Sequence, residues 1–398
     1  MNLFNICCFM DGHGYTDAHG DYDCLAAAGC KEERGPADLD ARGSWVFGHF
    51  SYEAGYEMLG VGRQPKPTID PFPVHFFFVP QQVIIVSGLQ VTIESESVSP
   101  DAIYHAIRQV ESNRSVPARL SLRSRVSRQQ YVEAVNRVLD HIQRGDCYEL
   151  NYCQEFFSDN AAISPVDVYL DLCQLSPAPF SVFYKVKHAY VLSASPERFL
   201  CRRGEEICSQ PIKGTIHRDP DDPAHDQALK DQLYTSDKER SENVMVVDMV
   251  RNDLSKICQQ GTVRVEELYG IYSFPQVHQM ISTITGKLKE GIDFKTIVEA
   301  TFPMGSMTGA PKKRVVELIQ QYEPTERGIY SGTVGYISPQ GDFDFNVIIR
   351  SIVYDALDKT VRYATGGGIT ANSSPDKEYE ESLLKASAIK KVLERSST

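Results

Sequence analysis

Residues 193–215 read SASPERFLCRRGEEICSQPIKGT. Two short runs in it, 198–202 and 207–212, can pair as strands, and Arg203-Gly204-Glu205-Glu206 between them has the chemistry of a hairpin turn. Glu197 precedes the first run and Lys213 follows the second. With a three-residue loop centred on Glu205, these two side chains become cross-strand neighbours, their Cβ atoms roughly 5 Å apart. A two-residue loop slips the register by one and turns one of them to the opposite face. An acid and an amine on a hairpin make either an exposed ion pair, common and weak, or a proton donor beside a nucleophile.

Strands continue on the upstream side. The segment 176–199, SPAPFSVFYKVKHAYVLSASPERF, leads into the hairpin by strands, and CYELNYCQEFF at 147–157 reads as another, with a helix near 165–174 between them. Ser127-Arg128-Gln129-Gln130 opens a helix in the manner of an N-cap, with apolar residues at Tyr131, Val132, Val135, Val138, Leu139 and Ile142 and a stop at Gly145. Nearer the N-terminus, SWVFGHFSYEAGYE (44–57) reads as a buried strand entering a turn, and 73–94 as two or three strands of a meander. Downstream, HRDPDDPAHDQ (217–227) reads as a flexible lid or crossing loop, followed by one long helix from Gln227 through Cys258. Connections are mostly of hairpin length and no βαβ rhythm is sustained, so the class is α+β with mainly antiparallel strands. The chain divides into a β-rich portion 1–95, a polar connector 96–127 with a short helix near 101–111, and a portion 128–398, read together as one integrated domain.

A net charge of −12 opposes nucleic acid and anionic membranes and favours a small-molecule substrate or a protein partner. Arg114, Arg119, Arg123, Arg125 and Arg128 form a solvated connector, because no aromatic residue is interleaved between Arg114 and Arg128. The ten cysteines show no Cys-x-x-Cys spacing, and Cys153, Cys173 and Cys201 lie inside apolar runs, as small core residues of a reducing, cytoplasmic setting do. MNLFNICCFMDG lacks the basic flank of a signal peptide, and no uncharged apolar run reaches 18 residues. His13 and His19 with Asp11, Asp17 and Asp21 read as a solvated loop, not a metal site.

Glu239 and Glu242 stand three apart in the long helical run, and Glu378 and Glu381 repeat that spacing near the C-terminus, where a helix starts at Ser374. Two helices each presenting two carboxylates offer the hard oxygen donors that Mg²⁺ prefers; they are equally the ordinary solvated faces of two helices. Three Gly-rich stretches lie between them: MGSMTGAPKKR (304–314), GIYSGTVGY (328–336) and ATGGGITANSS (364–374). The first runs into a helix at Pro311, where free amides suit a carboxylate. Three glycines in a row in the third let backbone approach a ligand closely. Arg350, in the strand-like FNVIIRSIVY, is a charge in an apolar run and needs a partner, either a structural Asp or a substrate carboxylate.

Taken in order from about Tyr148 to the end, SPERF, PIKGT, SENVMVVDMVRNDL, GSMTGAPK, GIYSGTVGY, IIRS and GGGITANSSPDKEYEES resemble the chorismate-utilising enzymes, with a weaker match in SWVFGHFSYE. The resemblance implies two large antiparallel β-sheets packed as a sandwich, with helices on the outside and the active site between the sheets. It implies Mg²⁺ held by Glu242 and Glu381, with Glu239 and Glu378 supporting through water. Thr308, Lys312, Tyr330, Arg350 and the amides of Gly366, Gly367 and Gly368 are expected to hold substrate carboxylates, and His278 in QVHQM to face the ring. Lys213 in PIKGT matches the branch that places nitrogen at C4 of chorismate, giving 4-amino-4-deoxychorismate for p-aminobenzoate and folate; anthranilate synthases have Ala there.

In that branch, as the resemblance implies, Glu197 protonates the departing hydroxyl, Lys213 adds at C2, and ammonia then adds at C4 and expels the lysine. Glu149 in CYELN departs from the pattern, since aminating members usually have Gln and isochorismate-forming members Lys. Glu cannot donate an amide hydrogen bond, but it can orient ammonia or ammonium. The chain has no Gly-x-Cys-x-Gly glutaminase elbow, so a separate glutamine amidotransferase is the expected ammonia source, with free ammonium as a substitute. Tryptophan feedback is not expected, because the N-terminal element that serves it is not recognisable. The alternatives are an anthranilate or isochorismate synthase, separated by product, and an idle scaffold for an amidotransferase, which would lack Mg²⁺-dependent turnover of chorismate.

Overall fold

A computed structural model of the chain describes residues 4–15, 22–40, 42–64, 66–67, 70–110, 114 and 120–394. Neighbouring residues of its strands face different cores. Cys7 and Cys8, or Phe77 and Phe78, are both buried because one packs outward against helices and the other inward against the second sheet. That double burial is why so many strands here read as continuous apolar runs instead of alternating ones.

Among the described residues one sheet has eleven strands, in the order Gly309–Ala310, Glu149–Ser158, Thr360–Thr370, Ser351–Asp355, Ala189–Ser195, Phe180–Val186, Ile6–Asp11, Cys24–Ala28, Gln82–Ser87, Gln90–Ser95, with Arg123–Ser124 beside Glu149–Ser158. The other has ten: Ile212–His217, Val277–Lys287, Glu206–Gln210, Arg198–Arg203, Phe343–Asn346, Thr333–Ile337, Val46–Phe50, His75–Val79, Glu32–Arg34, with Arg264–Ser273 also on Val277–Lys287. Between the sheets lies a core that includes Cys8, Leu25, Tyr184 and Val353 from the first and Phe47, Phe78, Val334 and Tyr336 from the second. Helices Pro165–Leu175 and Ser387–Leu393 cover the outside of the first sheet through Leu172, Ile389 and Val392. Helices Asp237–Ile257 and Phe294–Thr301 cover the second through Val247, Leu254 and Ile297. The architecture is the helix-flanked antiparallel sandwich. Residues before 96 supply strands to both sheets, Ile6–Asp11 between two strands of one and Val46–Phe50 between two of the other.

Local signals translate directly where they are short-range. Ser127 Oγ accepts from the Gln130 amide at 3.2 Å and Gln130 Oε1 from the Ser127 amide at 2.8 Å, a full capping box that starts the helix Arg128–Gln143. The connector carries a helix at Pro100–Arg108, and its arginines pair with acids: Arg114 with Asp171, Arg123 with Asp159, Arg125 with Glu155, Arg128 with Asp376. Arg119, His19, Asp17 and Asp21 lie outside the described residues.

Several expectations change. The hairpin turn is two residues, Gly204-Glu205 with Gly204 at φ +60°, so Arg203 faces Glu206 and Cys201 faces Cys208; a bulge then brings Arg198 opposite Gln210. Lys213 is not on that hairpin at all, because the chain breaks at Pro211 and resumes as Ile212–His217 paired to Val277–Lys287. Residues 223–235 are a helix, Pro223–Thr235, capped by Asp222, with a second helix starting after Ser236, so the lid and the single long helix give way to two capped helices. Gly366–Gly368 lie within a strand paired to Tyr152 and its neighbours, and Arg350 lies between strands, at φ +47°.

Candidate active site

Two chain segments cross from one sheet to the other side by side. Ala189–Ser195 of the first sheet passes through Pro196 and Glu197 into Arg198–Arg203 of the second; Phe343–Asn346 of the second passes through Arg350 into Ser351–Asp355 of the first. The Val347 amide donates to the Glu197 carbonyl at 3.0 Å, the Ala194 amide to the Arg350 carbonyl at 3.2 Å, and Ser195 Oγ to the Val347 carbonyl at 2.6 Å. Crossing backbone cannot join either ladder, so these bonds satisfy it and hold both crossings in place.

The two crossings carry a buried carboxyl and a half-buried guanidinium. Glu197 is 4% exposed, and burial pushes its carboxyl up to about 7, with the Ser306 hydroxyl, the Lys213 ammonium and the Ile212 amide pulling it back only part of the way. It borders a small cavity lined by Ser209, Pro211, Asp253, Thr301 and Ser306. The Arg350 side chain makes no hydrogen bond or ion pair among the described residues, and desolvation draws its guanidinium down to about 10. A desolvated, unpaired guanidinium is an anion site in waiting.

Lys213 comes from the edge strand Ile212–His217 and its Nζ donates to Glu149 Oε1, at the start of Glu149–Ser158 in the other sheet. Glu149 is 1% exposed and its Oε2 is buried without a partner. Burial works to lower the lysine's pKa, but the charges of Glu149, Glu242 and Glu197 and the Glu149 hydrogen bond outweigh it and hold it above its ordinary value. Gly368 lies against this pair: a Cβ there would stand 2.5 Å from Glu149 Oε1 and 2.8 Å from Lys213 Nζ. The strand needs glycine at that position to let the pair form.

The helix Asp237–Ile257 brings Glu239 and Glu242, and Pro375–Lys385 brings Glu378 and Glu381. The ammonium of Lys238 stands among three of the four, 3.9 Å from Glu242, 3.8 Å from Glu378 and 3.9 Å from Glu381. Burial pushes Glu242 up to about 7, and its Oε1, 3.9 Å from Lys238, has no hydrogen bond. Among the described residues no three acidic, His or Cys side chains are drawn together as a coordination shell. The donor set nevertheless fits Mg²⁺ in kind: all hard oxygens, one of them buried without a hydrogen bond, around the place of a cation now supplied by a lysine.

The remaining predicted residues divide. Tyr330, 5% exposed, lies with its hydroxyl 4.0 Å from Cys153 Sγ, the atom that closes against Gly366. Thr308 is buried, its hydroxyl on the Met304 carbonyl at 3.0 Å and its carbonyl on the Asn151 amide at 2.7 Å. Lys312 is occupied by Asp253 and the Thr301 carbonyl. His278 has both ring nitrogens engaged, Nε2 with Asp226 at 3.0 Å and Nδ1 with Ser273 at 2.9 Å, and is fully buried. The structure thus joins Lys213, Glu149, Gly368, Glu197 and the carboxylates, and ties Lys312 and His278 into neighbouring networks.

Sequence reasoning passed over two contributors. Lys238 reads as one more charge on a helix surface, and nothing in SDKERSEN distinguishes it. Arg327, 6% exposed, donates to Glu323, to the Met307 and Asn151 carbonyls and to Ser331, and so holds the 304–310 segment, the start of Glu149–Ser158 and the turn carrying Tyr330 together. A buried arginine with a partner four residues away, Glu323, was the available signal.

Among the described residues no helix is long and apolar enough to cross a membrane. Residues 18–391 match the family model of chorismate binding enzymes. Aminodeoxychorismate synthase component 1 of Escherichia coli is 36% identical over 310 residues, 78% of this chain and 65% of that one; the chloroplastic aminodeoxychorismate synthase of Arabidopsis thaliana is 41% identical over 265 residues, 66% of this chain and 28% of that one. The chain therefore spans under two thirds of the length of either relative. The crystal structure of anthranilate synthase component I from Streptococcus pneumoniae superposes with a TM-score of 0.80 at 22% identity, covering 95% of each chain, which establishes the shared fold. With motif order, sandwich architecture and a family match across nearly its whole length, the chain belongs to the chorismate binding enzymes.

Proposed function

We propose that the chain replaces the C4 hydroxyl of chorismate with nitrogen, forming 4-amino-4-deoxychorismate, with Mg²⁺ as cofactor and ammonia delivered by a separate glutaminase subunit. The observation that carries this reading is the amine of Lys213 set between Glu149 and an acid, Glu197, whose pKa lies near neutrality. The names of the two relatives support the reaction, and "component 1" supports a second subunit.

Hydroxide leaves poorly, and Glu197 at about 7 still holds a proton at neutral pH to give to the departing oxygen. Lys213 starts as an ammonium and must shed a proton before its nitrogen can bond to C2. Ammonia then bonds to C4, the lysine departs, and the enolpyruvyl group is retained. Arg350 exchanges its desolvation cost for a bidentate carboxylate pair when substrate arrives. Glu242 and Glu381, with Glu239 and Glu378 behind them, would hold Mg²⁺, whose positive charge when bound lets a dianion enter so acidic a cleft. Incubation with chorismate, Mg²⁺ and ammonium, read by mass spectrometry, tests the reading: 4-amino-4-deoxychorismate is expected, and anthranilate or isochorismate overturns it.

A further inference from the structure

We propose that Glu149 makes the cleft a binding site for ammonium ion, held through the free carboxylate oxygen Oε2, and that Glu149 takes the proton which that ion must lose to attack C4. The inference rests on the amination reading above.

One oxygen of Glu149 is used by Lys213 and the other is buried with no donor. A buried carboxylate oxygen without a hydrogen bond is costly, and a donor seated there during function removes that cost. That donor is cationic on charge grounds. Around Lys213 stand Glu149 and Glu242, each with an oxygen that has no hydrogen bond, and Glu197 beyond; of these Lys238 reaches only Glu242, at 3.9 Å, so the ammonium of Lys213 alone faces Glu149 and the three acids outnumber the lysines. Ammonium is small, cationic and offers four N–H donors, and it is the protonated form of the nitrogen this reaction consumes.

The step balances. With substrate joined to Lys213 through C2, ammonium gives one proton to the Glu149 carboxylate, and its freed electron pair forms the C4–N bond. The C2–N bond breaks and its pair returns to Lys213, whose amine takes the proton back from Glu149. This restores the resting ammonium–carboxylate pair and leaves the product's nitrogen protonated. The proton that Lys213 sheds before its own attack equals the one Glu197 regains afterwards. The charged groups facing Glu149 are Lys213 from the edge strand Ile212–His217 of the other sheet and Glu242 from the helix Asp237–Ile257, with Glu197 behind Lys213. Gly368 presents only backbone.

The test is the pH dependence of KM for ammonium chloride at saturating chorismate and Mg²⁺, between about pH 7 and pH 8.5. Free ammonia changes about tenfold per pH unit in this range while ammonium stays nearly constant. The wild-type KM, expressed as total ammonium, is expected to stay flat within about twofold. In Glu149→Gln, KM at pH 7 is expected to rise at least tenfold and then to fall about tenfold per pH unit, tracking free ammonia. A wild-type KM that tracks free ammonia, or a Glu149→Gln enzyme with an unchanged flat profile, overturns the proposal. Should the variant be inactive, the wild-type profile alone decides. If wild-type protein forms no aminated product at any ammonium concentration, it is the amination reading that fails.

Discussion

Lys213 reaches from the edge strand of one sheet to Glu149 at the start of a strand in the other, and the two close the end of the sandwich with a buried ion pair. Side chains 10% and 1% exposed make this pair sensitive to loss of one member, since a lone buried charge costs about 3–5 kcal/mol while loss of both costs far less. Lys213→Met is expected to destabilise the protein by about 3 kcal/mol in urea unfolding, and Lys213→Met with Glu149→Leu by less than that. A double variant as unstable as the sum of the singles would show that the two do not act as a pair. Lys213→Met should also abolish the chorismate adduct in intact mass spectra.

Gly368→Ala places a methyl carbon within 2.5 Å of Glu149 Oε1 and 2.8 Å of Lys213 Nζ. The strand ladder to Glu149–Ser158 tolerates alanine, so the variant is expected to fold, while product formation falls by at least a hundredfold. Circular dichroism beside a turnover assay checks both halves, and full activity in the variant would show that the pair lies elsewhere.

Glu197 carries a pH signature with a definite sign. Its carboxyl is raised from 4.5 to about 7 in the folded protein, so the protonated form is the favoured one: its stabilising effect is complete below pH 4.5 and lost as pH rises through about 7. Glu197→Gln removes that dependence. The variant is expected to match wild type near about pH 4.5 and to exceed it by up to about 3 kcal/mol near about pH 8 in urea unfolding. Turnover of wild type should fall about tenfold per pH unit above 7, as the acid form is depleted.

Arg350 separates binding from folding. Because its guanidinium has no partner in the free protein, Arg350→Met is expected to leave the melting temperature unchanged or raise it, while KM for chorismate rises at least tenfold, the equivalent of about 1.4 kcal/mol. A large fall in melting temperature would reveal a structural partner instead.

Lys238 competes for the carboxylates. Its ammonium sits 3.8–3.9 Å from Glu242, Glu378 and Glu381, so a metal ion bound there, as proposed, would have to displace it. Titration calorimetry with Mg²⁺ or Mn²⁺ is expected to show tighter binding, by roughly threefold to tenfold, in Lys238→Met and loss of binding in Glu242→Gln. Chelation by EDTA should abolish chorismate turnover, and unaltered metal affinity in both variants would remove these carboxylates from the metal site.

What the sequence by itself determined is local or ordered along the chain. The capping box at Ser127 and Gln130 needs only residues three apart, and Glu239 with Glu242 needs only the helical period. Motif order led to the family and with it the sandwich. Tertiary structure decided how distant residues meet. Glu197 and Lys213 share a site, yet not as facing residues of one hairpin, because a two-residue turn, a bulge at Arg198–Cys201 and the break at Pro211 send Lys213 to another strand. Its partner is Glu149, 64 residues away, chosen by how two sheet ends meet. Arg350 gained its unpaired charge from a crossing between sheets that strand-like apolar residues conceal. Register and crossing depend on where a ladder stops, which single residues such as Pro211 and Gly204 settle only once both sheets have formed.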